Sequence, residues 1–248
     1  MKIISFLVAL CVGLSTSLFS PNHIHDPGTA ENSIKGAWEY VNPETGEKVV
    51  ALVGNSYSMA TVYSGEPAKF IGTMGGPYTA KDGVHTQEFE FHTLDSTLIG
   101  KEISWGFQIE GNTLTTTDPE TGETTAYQRV DSGNETDMVG VWRISGRERG
   151  GKMSEMKWGP RKTLKMITGT RFQWTAFNPE TKQFRGTGGG TYSLEDGTYT
   201  ENIEFFSRDN SRVGASLEFQ AKISGKVWDH SGLSSKGTPI REIWKNVD

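Results

Sequence analysis

Residues 186–205, GTGGGTYSLEDGTYTENIEF, restate residues 72–91, GTMGGPYTAKDGVHTQEFEF, at ten of twenty positions without a gap. The offset of 114 continues downstream, where Ile99-Gly100 meets Val213-Gly214 and Ile109-Glu110-Gly111 meets Ile223-Ser224-Gly225. Each copy opens on Gly-x-Trp, at Gly36/Trp38 and at Gly140/Trp142, and closes on an aromatic strand, around Tyr127 and around Trp244. A repeat of this length is a structural unit used twice. Copy one spans 33–131 and copy two 137–248, joined by the polar, glycine-bearing stretch DSGNETD (131–137).

The unit is built of strands. In ASLEFQAKI (215–223), Leu217, Phe219, Ala221 and Ile223 alternate with polar residues; in KEISWGFQI (101–109), Ile103, Trp105, Phe107 and Ile109 do the same. That period of two marks one buried and one wet face. Turn signals such as NPETGE (42–47), KDG (81–83), DPETGE (118–123) and EDG (195–197) separate the strands. No sustained helical stripe occurs. The expected fold is all-β: two tandem antiparallel barrels, each either filled by side chains or holding one small ligand.

The N-terminus is of another kind. Lys2 is followed by an almost unbroken apolar run from Ile3 to Leu14 and then by small polar residues. This is the pattern of a secretory signal peptide over 1–20, and the run is too short to span a bilayer comfortably. The alternative is a retained N-terminal anchor. Cys11, the single cysteine, lies inside the segment behind Leu10, which is not the small residue that lipid attachment requires. The exported protein is thus expected in the periplasm or the medium, free of the membrane after cleavage, and stabilised without disulfides. The balance of 25 Lys and Arg against 30 Asp and Glu gives no basic footprint for nucleic acid.

Candidate chemistry concentrates in copy two. In TYTENIEFF (198–206), Tyr199 and Glu201 share a face with Ile203 and Phe205, and so are carried inward. The matching residues in copy one are His85 and Gln87. A buried carboxylate needs a partner, so Glu201 either lines a ligand cavity, lies at a solvated rim, or pairs internally, for example with Arg171. His230 follows Trp228 at a spacing of two; Glu242 and Trp244 share a face. The positions in copy one aligned with 229–231 are Thr115, Thr116 and Thr117.

His230, Tyr199 and Glu201 are therefore the candidate catalytic residues. Arg171, Trp174, Trp228, Glu242 and Arg161 are the candidate substrate contacts. From Arg143 to Lys165 eight basic residues face only Glu148 and Glu155, and Met153, Met156 and Trp158 lie among them. Such a loop over a barrel mouth suits a polyanion, and a simply solvated loop is the alternative. No metal site and no cofactor is expected. His23, His25 and Asp26 have ligand chemistry but stand just after the cleavage region. The glycine runs at 72–76 and 186–190 precede no helix, so they read as close strand crossings and not as phosphate loops.

Gly140-x-Trp142, the stretch 171–219 and WDHSGLSSKGTPIREIWK (228–245) resemble a family of exported lipocalin-like, calycin-type proteins of polysaccharide-degrading bacteria. The resemblance implies a calycin-type barrel and a place in polysaccharide breakdown. Proteins of similar architecture in ulvan degradation imply a dehydratase that eliminates water from uronic-acid oligosaccharides. An acidic oligosaccharide is then the partner, and a non-catalytic glycan or small-ligand binder is the alternative. Elimination across C4–C5 needs a base, a cation for the carboxylate and an acid for the leaving hydroxyl. His230 or Tyr199 would be base and acid, Arg171 or a loop arginine the cation, and Trp174 or Trp228 the surface on which the sugar stacks.

Overall fold

The computed structural model describes residues 33–133 and 136–248, and they form two closed antiparallel barrels. The signal-peptide reading and the His23–Asp26 stretch fall outside the described residues. The first barrel is built from β1 (Gly36–Val41), β2 (Lys48–Val53), β3 (Tyr57–Ser64), β4 (Lys69–Lys81), β5 (Val84–Glu88), β7 (Glu102–Glu110), β8 (Thr113–Thr117) and β9 (Thr124–Asp131). The short β6 (Phe91–His92) adds to β4, and β9 closes on β1. The second barrel repeats this with β10 (Gly140–Arg149), β12 (Lys162–Ile167), β13 (Arg171–Asn178), β14 (Gln183–Glu195), β15 (Thr198–Phe206), β16 (Ser216–Ser224), β17 (Val227–Leu233) and β18 (Pro239–Asn246), where β18 closes on β10. An extra strand, β11 (Lys152–Glu155), folds back on β10 as a hairpin. No described helix is long and apolar enough to cross a membrane.

The offset of 114 holds at the level of strand register. Phe107 faces Thr116, and Ala221 faces His230. Each barrel also carries one 3-10 turn, capped by an aspartate, Asp95 or Asp209, whose side chain accepts from the backbone two residues on. One departure stands out. Trp38 pairs with Ala51, thirteen residues on, but Trp142 pairs with Lys165, twenty-three on. Copy two thus carries ten more residues at this point, and they form the β10–β11 hairpin and the stretch leading into β12.

The opening Gly-x-Trp is a lock. The Trp38 indole donates to Ile34 O and the Trp142 indole to Met138 O, each at 2.7 Å. The glycine is required at Gly36, with φ +112, because a Cβ there would lie 2.1 Å from Asp131 O. Both tryptophans are fully buried at one end of their barrels. In β16 the alternation is as expected, with Phe219 and Ala221 inside and Glu218, Gln220 and Lys222 outside. In β7 it is looser: Ile109 is buried, while Ile103 is exposed near the rim, where the β5–β7 pairing ends at Glu88 and Glu102.

The barrels pack through their outer faces about a local two-fold relation. Phe91 packs on Phe177 at 4.7 Å, and the equivalent pair, Phe205 on Tyr63, lies at 5.4 Å. The glycine runs explain how these rings fit: a Cβ on Gly75 or on Gly189 would stand 2.6 Å from the tip of Phe91 or Phe205. Between them lies a buried polar patch, in which Gln173 Nε2 donates to Thr73 Oγ1 across the interface at 2.9 Å. Two carboxylates tie each barrel end to the other barrel. Asp131 accepts from Thr168 Oγ1 and from Thr170 N, and Asp248 accepts from Asn55 N and Ser56 N.

Candidate functional site

The inward face of β15 carries Tyr199, Glu201 and Ile203, all buried, as the alternation requires; the expected fourth member, Phe205, is turned outward onto Tyr63 by a register shift at Gly189/Gly190, and Phe206 faces the cleft in its place. The partner of Glu201 is not Arg171. It is Lys165 of β12, whose Nζ donates to Glu201 Oε1 at 2.6 Å; both side chains are 5 % exposed. The sequence places Lys165 at the end of a basic loop, but in the fold it sits on a strand. Its neighbours Leu164 and Met166 point outward into the inter-barrel core, and Ile167 packs in the barrel interior. Lys165 therefore points inside with Ile167, and its ammonium is surrounded by aromatic faces. The ring centres of Trp228, Tyr199 and Trp244 lie 5.0, 5.2 and 5.3 Å away. Cation–π attraction and the Glu201 carboxylate together offset the cost of burying the charge. One hydrogen-bond acceptor is in place for an ammonium with three donors.

A cleft of about 380 Å³ reaches this pair from the surface. His230, Glu201, Trp174, Glu242 and Arg161, all expected from sequence, line it, together with Lys165 and Trp244. His230 is buried, and neither ring nitrogen has a hydrogen-bond partner. Burial, and then the positive charge of Lys165, hold its pKa well below the ordinary histidine value. The imidazole is neutral at physiological pH. Glu242 Oε2 lies 3.9 Å from His230 Nδ1, while its other oxygen is held by Arg147 of the hairpin strand β10.

Three expected residues are placed differently. Arg171 does not line the cleft. It pairs with Glu204 at 2.6 Å and with Glu39 of the first barrel at 3.5 Å, so it serves the contact between barrels. Trp228 is fully buried beneath Lys165, where no sugar ring reaches it; Trp174 and Trp244 are the aromatics on the cleft wall. Tyr199 is also fully buried, packed against Trp228 and Phe219, and does not line the cleft. Its hydroxyl lies near Glu201 without hydrogen-bond geometry, and burial, followed by that carboxylate, pushes its pKa well above the ordinary value. Burial thus favours the protonated hydroxyl at Tyr199. The basic stretch 143–165 is likewise not one loop but the β10–β11 hairpin, a connector and the start of β12.

The same place in the first barrel is closed. Ala51, Gln87 and Thr116 stand where Lys165, Glu201 and His230 stand in the second. Gln87 donates to Ser58 O and Gly76 O. His85 is stacked between Tyr78 and Trp105, at 4.7 and 4.4 Å, and desolvation lowers its pKa to about 4. Leu94, Leu98 and Trp105 pack with Met74 and Phe89 as an apolar plug.

Residues 137–248, which hold every strand of the second barrel, match the model of a domain of unknown function, DUF4488. No curated protein matches the chain.

Proposed function

We propose that the second barrel binds an acidic oligosaccharide and eliminates water across C4–C5 of a uronic-acid residue, outside the cytoplasm, during polysaccharide breakdown. The observation that carries this reading is the neutral, unpartnered His230 facing a cleft beside the Lys165–Glu201 pair. Lys165 has donors to spare for the substrate carboxylate, and a cation there stabilises the charge that builds as the C5 proton leaves. An unpartnered nitrogen of His230 takes that proton. The C4–O bond breaks, the C4=C5 bond forms, and the imidazolium returns its proton to the departing oxygen, so that water is lost. Trp174 and Trp244 give the sugar ring apolar faces, and Arg147, held by Glu242, and Arg161 make the rim attractive to anions. The lipocalin-like resemblance and the signal-peptide pattern of residues 1–20 support the setting.

The experiment is to incubate the protein with uronic-acid oligosaccharides and follow the ultraviolet absorbance of the unsaturated uronate. His230→Ala is expected to lower turnover by about 10²-fold or more with the fold intact. Wild-type protein that binds these sugars but forms no unsaturated product supports the second reading, ligand capture without turnover. That reading is favoured by the depth at which Lys165 and Glu201 already neutralise one another.

A further inference from the structure

Beside the cleft lies a second, larger groove of about 720 Å³. The two share a wall that includes Arg147, Phe206, Arg208, Ser234, Ile240 and Glu242, so a ligand in one continues into the other. The groove adds Arg212, from the 3-10 turn, and Lys236, from the turn between β17 and β18. Its carboxylates are already engaged: Glu148 with Arg241, Asp209 with Arg212 and Glu242 with Arg147. Among the described residues, neither Arg208 nor Lys236 forms an ion pair.

The first barrel supplies a control within the same chain. At the offset of 114, Arg208 and Arg212 replace Leu94 and Leu98, two residues of the apolar plug, and Gly188 replaces Met74. The turn that carries Lys236 reads SSKGT (234–238), where the first barrel has the acidic DPETGE (118–123). Arg212 is also held in place, since its Nε donates to Asp209 Oδ2 at 3.1 Å and its Nη1 donates to Ser235 O. At one barrel mouth, then, apolar and acidic positions have become cationic, next to the cleft, and Arg208 is likewise anchored through Nε to Arg185 O.

We infer that this groove is a second subsite, in which Arg208, Arg212 and Lys236 hold an anionic group on the sugar next to the one in the His230 cleft. The inference rests on the reading of that cleft as a uronate site. It makes the ligand an oligosaccharide with charges on neighbouring residues, not a single sugar acid.

Calorimetric titration of the full chain with galacturonate, trigalacturonate and the neutral methyl ester of trigalacturonate tests it. Trigalacturonate is expected to bind about 10-fold or more tightly than galacturonate, as a further charge-assisted contact implies. Arg212→Leu/Lys236→Ala, at two positions that line the groove and not the cleft, is expected to erase that advantage and leave galacturonate binding unchanged. A trimer no tighter than the monomer overturns the subsite, as does a methyl ester that binds equally well or a double variant that keeps the advantage. Galacturonate that fails to bind wild-type protein overturns the reading of the cleft itself, and the groove with it.

Discussion

The two barrels share strands, register and locks, yet one is filled and the other is open. In the first, Met74, Phe89, Leu94, Leu98 and Trp105 occupy the mouth, and Gln87 is satisfied by backbone carbonyls. In the second, Gly188 and two arginines replace Met74, Leu94 and Leu98, and Lys165, Glu201 and His230 replace Ala51, Gln87 and Thr116. Few exchanges separate a packed scaffold from a polar cleft. What a barrel does is set by its mouth and by a handful of inward positions, while the framework that holds them is unchanged.

The largest effect is expected where the exchange buries charge. Glu201→Gln alone leaves Lys165 buried without its carboxylate, and about 3–5 kcal/mol of stability should be lost on denaturant unfolding. Glu201→Gln with Lys165→Ala reproduces the first barrel's Gln87 and Ala51, and should recover much of that loss. A double variant as unstable as the sum of the two singles would show that the pair is not the unit that distinguishes the barrels.

Histidine gives the next test, through pH. His85 has a folded pKa near 4 against an ordinary 6.5. The folded state therefore binds fewer protons than the unfolded one in that window, and stability falls as the pH drops from the ordinary value towards the lowered one. His85→Phe should remove about 3 kcal/mol of that acid sensitivity, read as a flatter melting temperature against pH. His230, which faces Lys165, Glu201, Glu242 and Tyr199, is shifted in the same direction. If it is the base, the acid limb of turnover should lie below the usual histidine range.

The smallest effect concerns the contact between barrels. Arg171→Met should cost about 1–3 kcal/mol, because Glu204 loses its cation at a partly exposed site. Affinity for acidic sugars should be unchanged, since the guanidinium is turned away from the cleft. A large loss of affinity would return Arg171 to the site.

Much of this was legible in the sequence. The repeat and the alternation within it led to two barrels, and the parity of TYTENIEFF placed Tyr199 and Glu201 inside. The same parity, applied once more, excludes Arg171: it stands three residues from the inward Trp174, on the opposite face of β13. Lys165 was missed because it ends a run of solvated cations. Its signal was the match of KTLKMI (162–167) to KVVALV (48–53), which sets a lysine where the first barrel has the inward Ala51. The plug was not legible, because Leu94 and Leu98 lie in a turn with no period and meet the barrel mouth only through the fold.

The central claim is that ligand enters the second barrel because its mouth lacks the first barrel's plug. Gly188→Met restores the Met74 side chain at a point where a Cβ already meets Phe206 and Trp174 at 2.8 and 2.9 Å. Calorimetric titration of trigalacturonate should detect binding to wild-type protein and to His85→Ala, and none to Gly188→Met that circular dichroism shows to be folded. Undiminished binding to Gly188→Met, or its loss in His85→Ala, would place the site in the wrong barrel and contradict the account.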